Sequence, residues 1–111
     1  MYNDWTKSKI AVELGQAEKY RREGFEGRAR VCARRAAGIA IRDYFKRHQI
    51  PEANLNTLGL VQAFKDLPGI SLELRRSAEI LLLRVDESFS LPPEIDLIAA
   101  ARLLVQNLDE L

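Results

Sequence analysis

The segment Gly24–Gln49, GFEGRARVCARRAAGIAIRDYFKRHQ, constrains this chain more than any other stretch. At about 100° per residue, Phe25, Ala29, Cys32, Ala33, Ala36, Ile39 and Ala40 fall within one broad sector of a helix. Most of them are small. A small-residue stripe lets a neighbouring helix approach closely, so the segment predicts a helix packed inside an all-α bundle. Its arginines must then ring that contact. Arg28, Arg35 and Arg42 recur every seven residues along one edge of the sector, while Arg30 and Arg34 lie on the opposite side. Gly38 stands outside the stripe, where it marks either a second close contact or a slight bend. Within a helix it costs about 1 kcal/mol relative to alanine.

Four further helical segments surround this one. The first starts behind Asn3 or Asp4 as cap and runs to about Arg22, with Ile10, Leu14 and Ala17 on one face. Gly24 and Gly27 punctuate its end. The second segment, from about Phe25 to His48, stops before Pro51, because the residue preceding proline avoids the α region. A short third helix follows, with Asn54, Asn56 and Thr57 as candidate caps and Leu58, Val61 and Phe64 inward. Leu67-Pro68-Gly69 breaks it. Ser71 can cap the fourth helix, whose apolar face is Leu74, Ala78, Leu81, Leu82 and Val85. After Leu91-Pro92-Pro93, Pro93 suits the first turn of a fifth helix, and Glu94 and Asp96 suit the positive end of its dipole. Leu97, Ile98, Ala101, Leu104, Val105 and Leu108 complete its buried face. No window alternates with period two long enough to demand a strand.

At 111 residues the chain suffices for one domain and is too short for two ordinary ones. The expectation is a single domain over residues 1–111. It forms an up-and-down bundle of four main helices, since short connections favour antiparallel neighbours. The short third helix packs across the bundle or caps one end. A 47% apolar content is enough for a core, and the net charge of +1 names no partner. The distribution of charge says more. Nine Arg or Lys face three acids between Arg21 and His48, whereas six acids face Arg102 alone between Asp86 and Leu111. That asymmetry fits an anionic ligand at the basic end. It equally fits the two ends meeting, within one subunit or across a dimer.

Cys32 is the only cysteine, which excludes an intrachain disulfide and a cysteine metal cluster. On the apolar stripe it reads as a small buried hydrophobe. No apolar run approaches the ~18–20 residues that span a membrane. MYNDWTKSK lacks the apolar core of a signal peptide, so a cytoplasmic protein with no membrane contact is expected.

The order of features resembles the HEPN family, helical nucleotide-binding domains of higher eukaryotes and prokaryotes. The resemblance runs from about Trp5 to Leu108. It is carried by WTKSKIAVELGQAEKYRREG, by FEGRARVCARRAAGIAIRDYFKRH, by the short LGLVQAF helix and by the two closing helices. It implies a long helix pair, a short helix after a loop, and a final pair. It also implies a homodimer and one of two activities. Some members are ribonucleases, often toxins of toxin–antitoxin pairs. Others are non-catalytic helpers of a nucleotidyltransferase. The catalytic kind carries an Arg, four to six residues, then a His, in the later half of the domain. Arg42 and His48 satisfy the spacing but sit at the end of the second helix, and the later helices contain no histidine. The resemblance therefore points to the non-catalytic kind: a self-associating module that pairs with a nucleotidyltransferase or binds nucleotide or RNA. The alternatives are a metal-independent endoribonuclease using Arg42 and His48, and a structural dimer with no ligand.

Each candidate residue has a specific chemistry and a plainer alternative. His48 could act as acid or base on a ribose hydroxyl or leaving oxygen, with Arg42 stabilising phosphate charge. Alternatively, Lys46, Arg47 and His48 simply complement a helix C-terminus. Arg28, Arg30, Arg34 and Arg35 could grip phosphates bidentately, with Tyr44 or Phe45 adding a stacking surface. Alternatively, they pair with the acidic last helix, with Glu73 and Glu79, or with a partner chain. Asp86, Glu87, Glu94 and Asp96 cluster around the proline turn but lack EF-hand spacing, so no metal is expected. No cofactor motif is present. Trp5 and Tyr2 are either an exposed anchor for a partner or the lid on the bundle end.

Overall fold

Local stop signals and caps divide the chain into five α-helices in a computed structural model that describes residues 1–52, 54–84 and 95–111. Helix α1 is Asp4–Arg22, α2 Glu26–Arg47, α3 Thr57–Lys65, α4 Leu72–Leu82 and α5 Leu97–Glu110. No strand occurs among the described residues. Val85, the Leu91-Pro92-Pro93 break and the carboxylates Asp86, Glu87 and Glu94 lie outside them.

Four helices begin behind a side chain that accepts an otherwise unused amide. Asn3 accepts from Thr6, Asn56 from Gly59, Ser71 from Leu74 and Asp96 from Ala99. Because Asp96 is the cap, α5 begins at Leu97, later than a start at Pro93. Helix α2 is the exception, since Phe25 caps it with no side-chain bond. Both ends of the long hairpin close in the same way. Gly24, at φ 84°, donates to the Arg21 carbonyl, and Phe25 donates to the Tyr20 carbonyl. At the end of α2, Gln49 takes φ 54°, its amide reaches the Lys46 carbonyl and that of Ile50 reaches Phe45. These paired bonds satisfy last-turn carbonyls through one left-handed residue, and Pro51 then prevents continuation.

Helix α2 is the centre of the packing. It lies against α1, α3 and α5, while α4 lies against α3 and α5. Its Ala29, Ala33, Ala36, Ala37 and Ala40 are wholly buried. So are Ile41 and Phe45, which widen the hidden sector beyond the alanine stripe. Phe25 is a correction: it is 49% exposed, because it precedes the helix and turns out onto Tyr20. Ile39 is half-buried. Gly38 is buried against Thr57, where an added Cβ would sit 3.2 Å from the threonine methyl. Of its two readings, the close contact is the one observed.

The remaining helices bury the expected faces with small shifts. In α3 the buried set is Leu60, Val61 and Phe64, with Leu58 only half-buried, because the helix is held between α2 and α4. Ser77 joins Leu74, Ala78 and Leu81 in α4, and Leu82 is half-buried. Ala100 joins the α5 face and Val105 is half-buried. Tyr2, 5% exposed, folds over the bundle end, donating its hydroxyl to the Val105 carbonyl and its amide to Asp109. No helix among the described residues is long and apolar enough to cross a membrane.

Candidate nucleic-acid interface

The three-residue connection between α1 and α2 makes them antiparallel, which sets one helix's open edge beside the other's. On α2 that edge carries Arg28, Arg35, Arg42 and Lys46, within about 40° of one another at helical geometry. Facing Arg35, Arg42 and Lys46 from α1 are Trp5, Lys9 and Glu13. Together they line a groove of about 470 Å³ that Gly38, Thr57 and Leu60 help to floor. Trp5 is 68% exposed, and the Lys9 ammonium lies 4.4 Å from its ring centre. Four cations and one open indole thus share a single concave surface. Of the two acids in its lining, Asp43 pairs with Arg47 at 2.6 Å and Glu13 makes no ion pair among the described residues. Glu52, beside the groove, pairs with Arg42 at 3.3 Å and Lys46 at 3.8 Å, which leaves Lys9 and Arg35 as the lining cations with no ion pair among the described residues.

The arginines named from the sequence separate into two groups. Arg28 and Arg35 are exposed and make no ion pair among the described residues; Arg28 lies 5.0 Å from the Phe25 ring centre and 5.8 Å from that of Tyr20. Arg34 turns the other way. It donates to the carbonyls of Leu81 at 2.8 Å and Leu83 at 2.6 Å, closing the end of α4. Burial lowers its pKa, and the charges of Arg84 and Arg30 add to the effect. Arg30 is half-buried on that same side. Glu73 and Glu79 are therefore not the hydrogen-bonding partners of Arg34; backbone oxygens are.

Arg42 and His48 are six residues apart, about 9 Å along the helix and about 120° around it. Arg42 faces the groove, donating to Glu52 and to the Leu55 carbonyl at 2.7 Å. His48 is exposed at the helix end, where its Nε2 donates to the Leu111 carbonyl at 2.8 Å and its ring packs on Tyr44 at 4.3 Å. The two share no hydrogen-bond partner, and His48 is absent from the groove lining. Arg47 caps α5 through the Leu108 carbonyl at 2.7 Å. The basic and acidic ends meet in one ion pair among the described residues, Arg21 with Asp96 at 2.9 Å. Arg21 also pairs with Glu26 at 3.0 Å inside the basic stretch, and Arg102 pairs with Glu18 of α1.

Tyr44 is half-buried and Phe45 fully buried, so neither offers a ring to the basic edge. The ring that does so is Trp5. The sequence signals it only through Lys9 at i+4, since the register of α1 on α2 is a matter of packing. Cys32 is buried, and both burial and the Glu13 carboxylate push its thiol pKa up, which disfavours the nucleophilic thiolate. No group of three His, Cys, Asp or Glu close enough to hold a metal ion occurs among the described residues. Comparison with protein-family models, with curated proteins and with solved structures finds no match to this chain.

Proposed function

We propose that this chain is a non-catalytic, HEPN-like helical module that binds the phosphates of nucleotide or RNA in the α1–α2 groove. The observation that carries the reading is the gathering of Lys9, Arg35, Arg42 and Lys46 around the exposed Trp5 ring. Cations supply attraction to phosphate, and an open aromatic face supplies stacking for a base. The separation of His48 from Arg42 supports binding rather than cleavage. In this reading α1, α2, α4 and α5 are the four members of an up-and-down bundle and α3 is the additional short helix. The chain self-associates, and a nucleotidyltransferase is the protein partner suggested by the resemblance. Light scattering reads the first of these, and co-purification with a nucleotidyltransferase encoded nearby reads the second.

Fluorescence anisotropy of a labelled RNA oligomer tests the groove. Binding should weaken with salt at a slope of about −0.7 per phosphate contacted. Arg35→Glu should weaken it at least about tenfold, or about 1.4 kcal/mol. No binding at low salt, or an unchanged affinity in Arg35→Glu, removes the proposal. Cleavage of the oligomer by the wild type but not by His48→Ala replaces it with a metal-independent endoribonuclease built on Arg42 and His48.

A further inference from the structure

The groove does not end at Arg35. A second concavity, about 390 Å³, continues along the hairpin toward Tyr20 and Arg28, and both Glu13 and Arg35 line the two. Arg28, Arg35 and Arg42 stand at successive seven-residue intervals along this track, spanning about 21 Å from first to last at the helical rise. An aromatic surface closes each end. Trp5 stands at one, and at the other Tyr20 and Phe25 meet edge to face at 6.5 Å, with the Arg28 guanidinium beside both rings. Arginine planes and aromatic rings are the two side-chain surfaces on which unpaired bases stack. A duplex hides its base faces and cannot use either end. Between them lies the half-buried Glu13 carboxylate, which repels a phosphate and accepts a hydrogen bond. A ribose 2′-hydroxyl, the group that distinguishes RNA from DNA, can donate to it.

Resting on the phosphate-binding reading above, we propose that the α1–α2 groove holds a single strand of RNA along its length. One base stacks on Trp5, another stacks at the Tyr20–Phe25–Arg28 end, and a ribose hydroxyl meets Glu13. The track accommodates up to about six nucleotides at the ~3.4 Å spacing of a stacked strand.

The test is anisotropy with labelled single-stranded RNA of two, four, six and eight nucleotides, the matching duplex, and DNA of the same sequence. Affinity should rise up to about six nucleotides and then level. Trp5→Leu should weaken the six-nucleotide strand about tenfold. Arg28→Ala should weaken the six-nucleotide strand several-fold, whereas Arg76→Ala, exposed on α4, serves as a control with no effect. Arg28 is exposed, so its variant keeps the fold, and circular dichroism verifies this for each protein. If affinity levels at two nucleotides and Arg28→Ala is neutral while Trp5→Leu still weakens binding, the extended track is overturned and phosphate binding stands. Equal affinity for duplex or for DNA also overturns it. No binding at any length overturns both.

Discussion

Arginine serves this protein as a planar donor fork as much as a charge. Arg34 closes α4 through Leu81 and Leu83, Arg75 closes α3 through Lys65 and Leu67, and Arg47 closes α5 through Leu108. Each reaches carbonyls at a helix end, at the negative pole of the dipole; Arg47 shares the Leu108 carbonyl with the Leu111 amide. Arg34→Ala should therefore cost about 1–2 kcal/mol, since bonds from a charged donor exceed neutral ones but this side chain is only half-buried. Arg34→Lys should recover less than half of the loss, because one ammonium cannot span two carbonyls as a guanidinium does. Urea denaturation reads both, and a neutral Arg34→Ala would show that the capping bonds contribute nothing. Gln49 offers a gain of similar size. Its φ of 54° lies in the left-handed region, which costs a residue with a Cβ about 1–2 kcal/mol. Gln49→Gly should raise the melting temperature by about 4–8 °C per kcal/mol released, and an unchanged melting temperature would contradict this.

The helices themselves were legible in the sequence because their signals are local. Periodicity located the inward faces, while Asn3, Ser71, Gly24 and Pro51 marked starts and stops where the structure has them. What failed was the rotation of short or crowded elements. Leu60 is buried and Leu58 half-buried because α3 is gripped from two sides, a constraint that its own nine residues do not encode. Phe25 left the stripe because the left-handed Gly24 turns the chain before α2 begins. Glycines separate the two kinds of information. Gly15 and Gly38 both sit within helices, yet a Cβ at Gly15 meets nothing within 4 Å, whereas one at Gly38 would crowd Thr57. Gly15→Ala should stabilise the protein by about 0.5–1 kcal/mol through helix propensity alone. Gly38→Val should destabilise it by about 1–3 kcal/mol by forcing α3 away from α2. Thermal unfolding of the pair checks this, and a stabilised Gly38→Val would mean that α3 yields freely.

At the scale of the molecule, Arg21 joins three elements: the end of α1, Glu26 at the start of α2 and Asp96 before α5. Burial pushes the Asp96 carboxyl pKa up, but the Ala99 amide and the Arg21 guanidinium outweigh it and hold the group below its ordinary 3.8. A lowered carboxyl pKa stabilises the fold above the ordinary value, and that contribution is lost as pH falls through the lower folded value. Asp96→Asn keeps a capping side chain and removes the charge. It should cost under about 1 kcal/mol at neutral pH, since the pair is partly exposed. The difference from wild type should shrink to nothing as the pH drops below 3.8. A difference that persists undiminished in acid would show that the charge of Asp96 does not carry the effect.

The basic row of Arg28, Arg35 and Arg42 could be read from the sequence because all three lie on one helix at a fixed interval. Trp5, Lys9 and Glu13 could not be placed beside it. Their position follows from how the alanine face of α2 seats Ile10, Leu14 and Ala17 of α1. The sequence by itself determined where the chain coils into helices, where it stops and which stripes are apolar, since those depend on neighbours a few residues away. Only the tertiary structure decided which cations face open water and which are spent on carbonyls. For Arg34 and Arg47 those acceptors lie 47 and 61 positions along the chain, and packing alone brings them within reach.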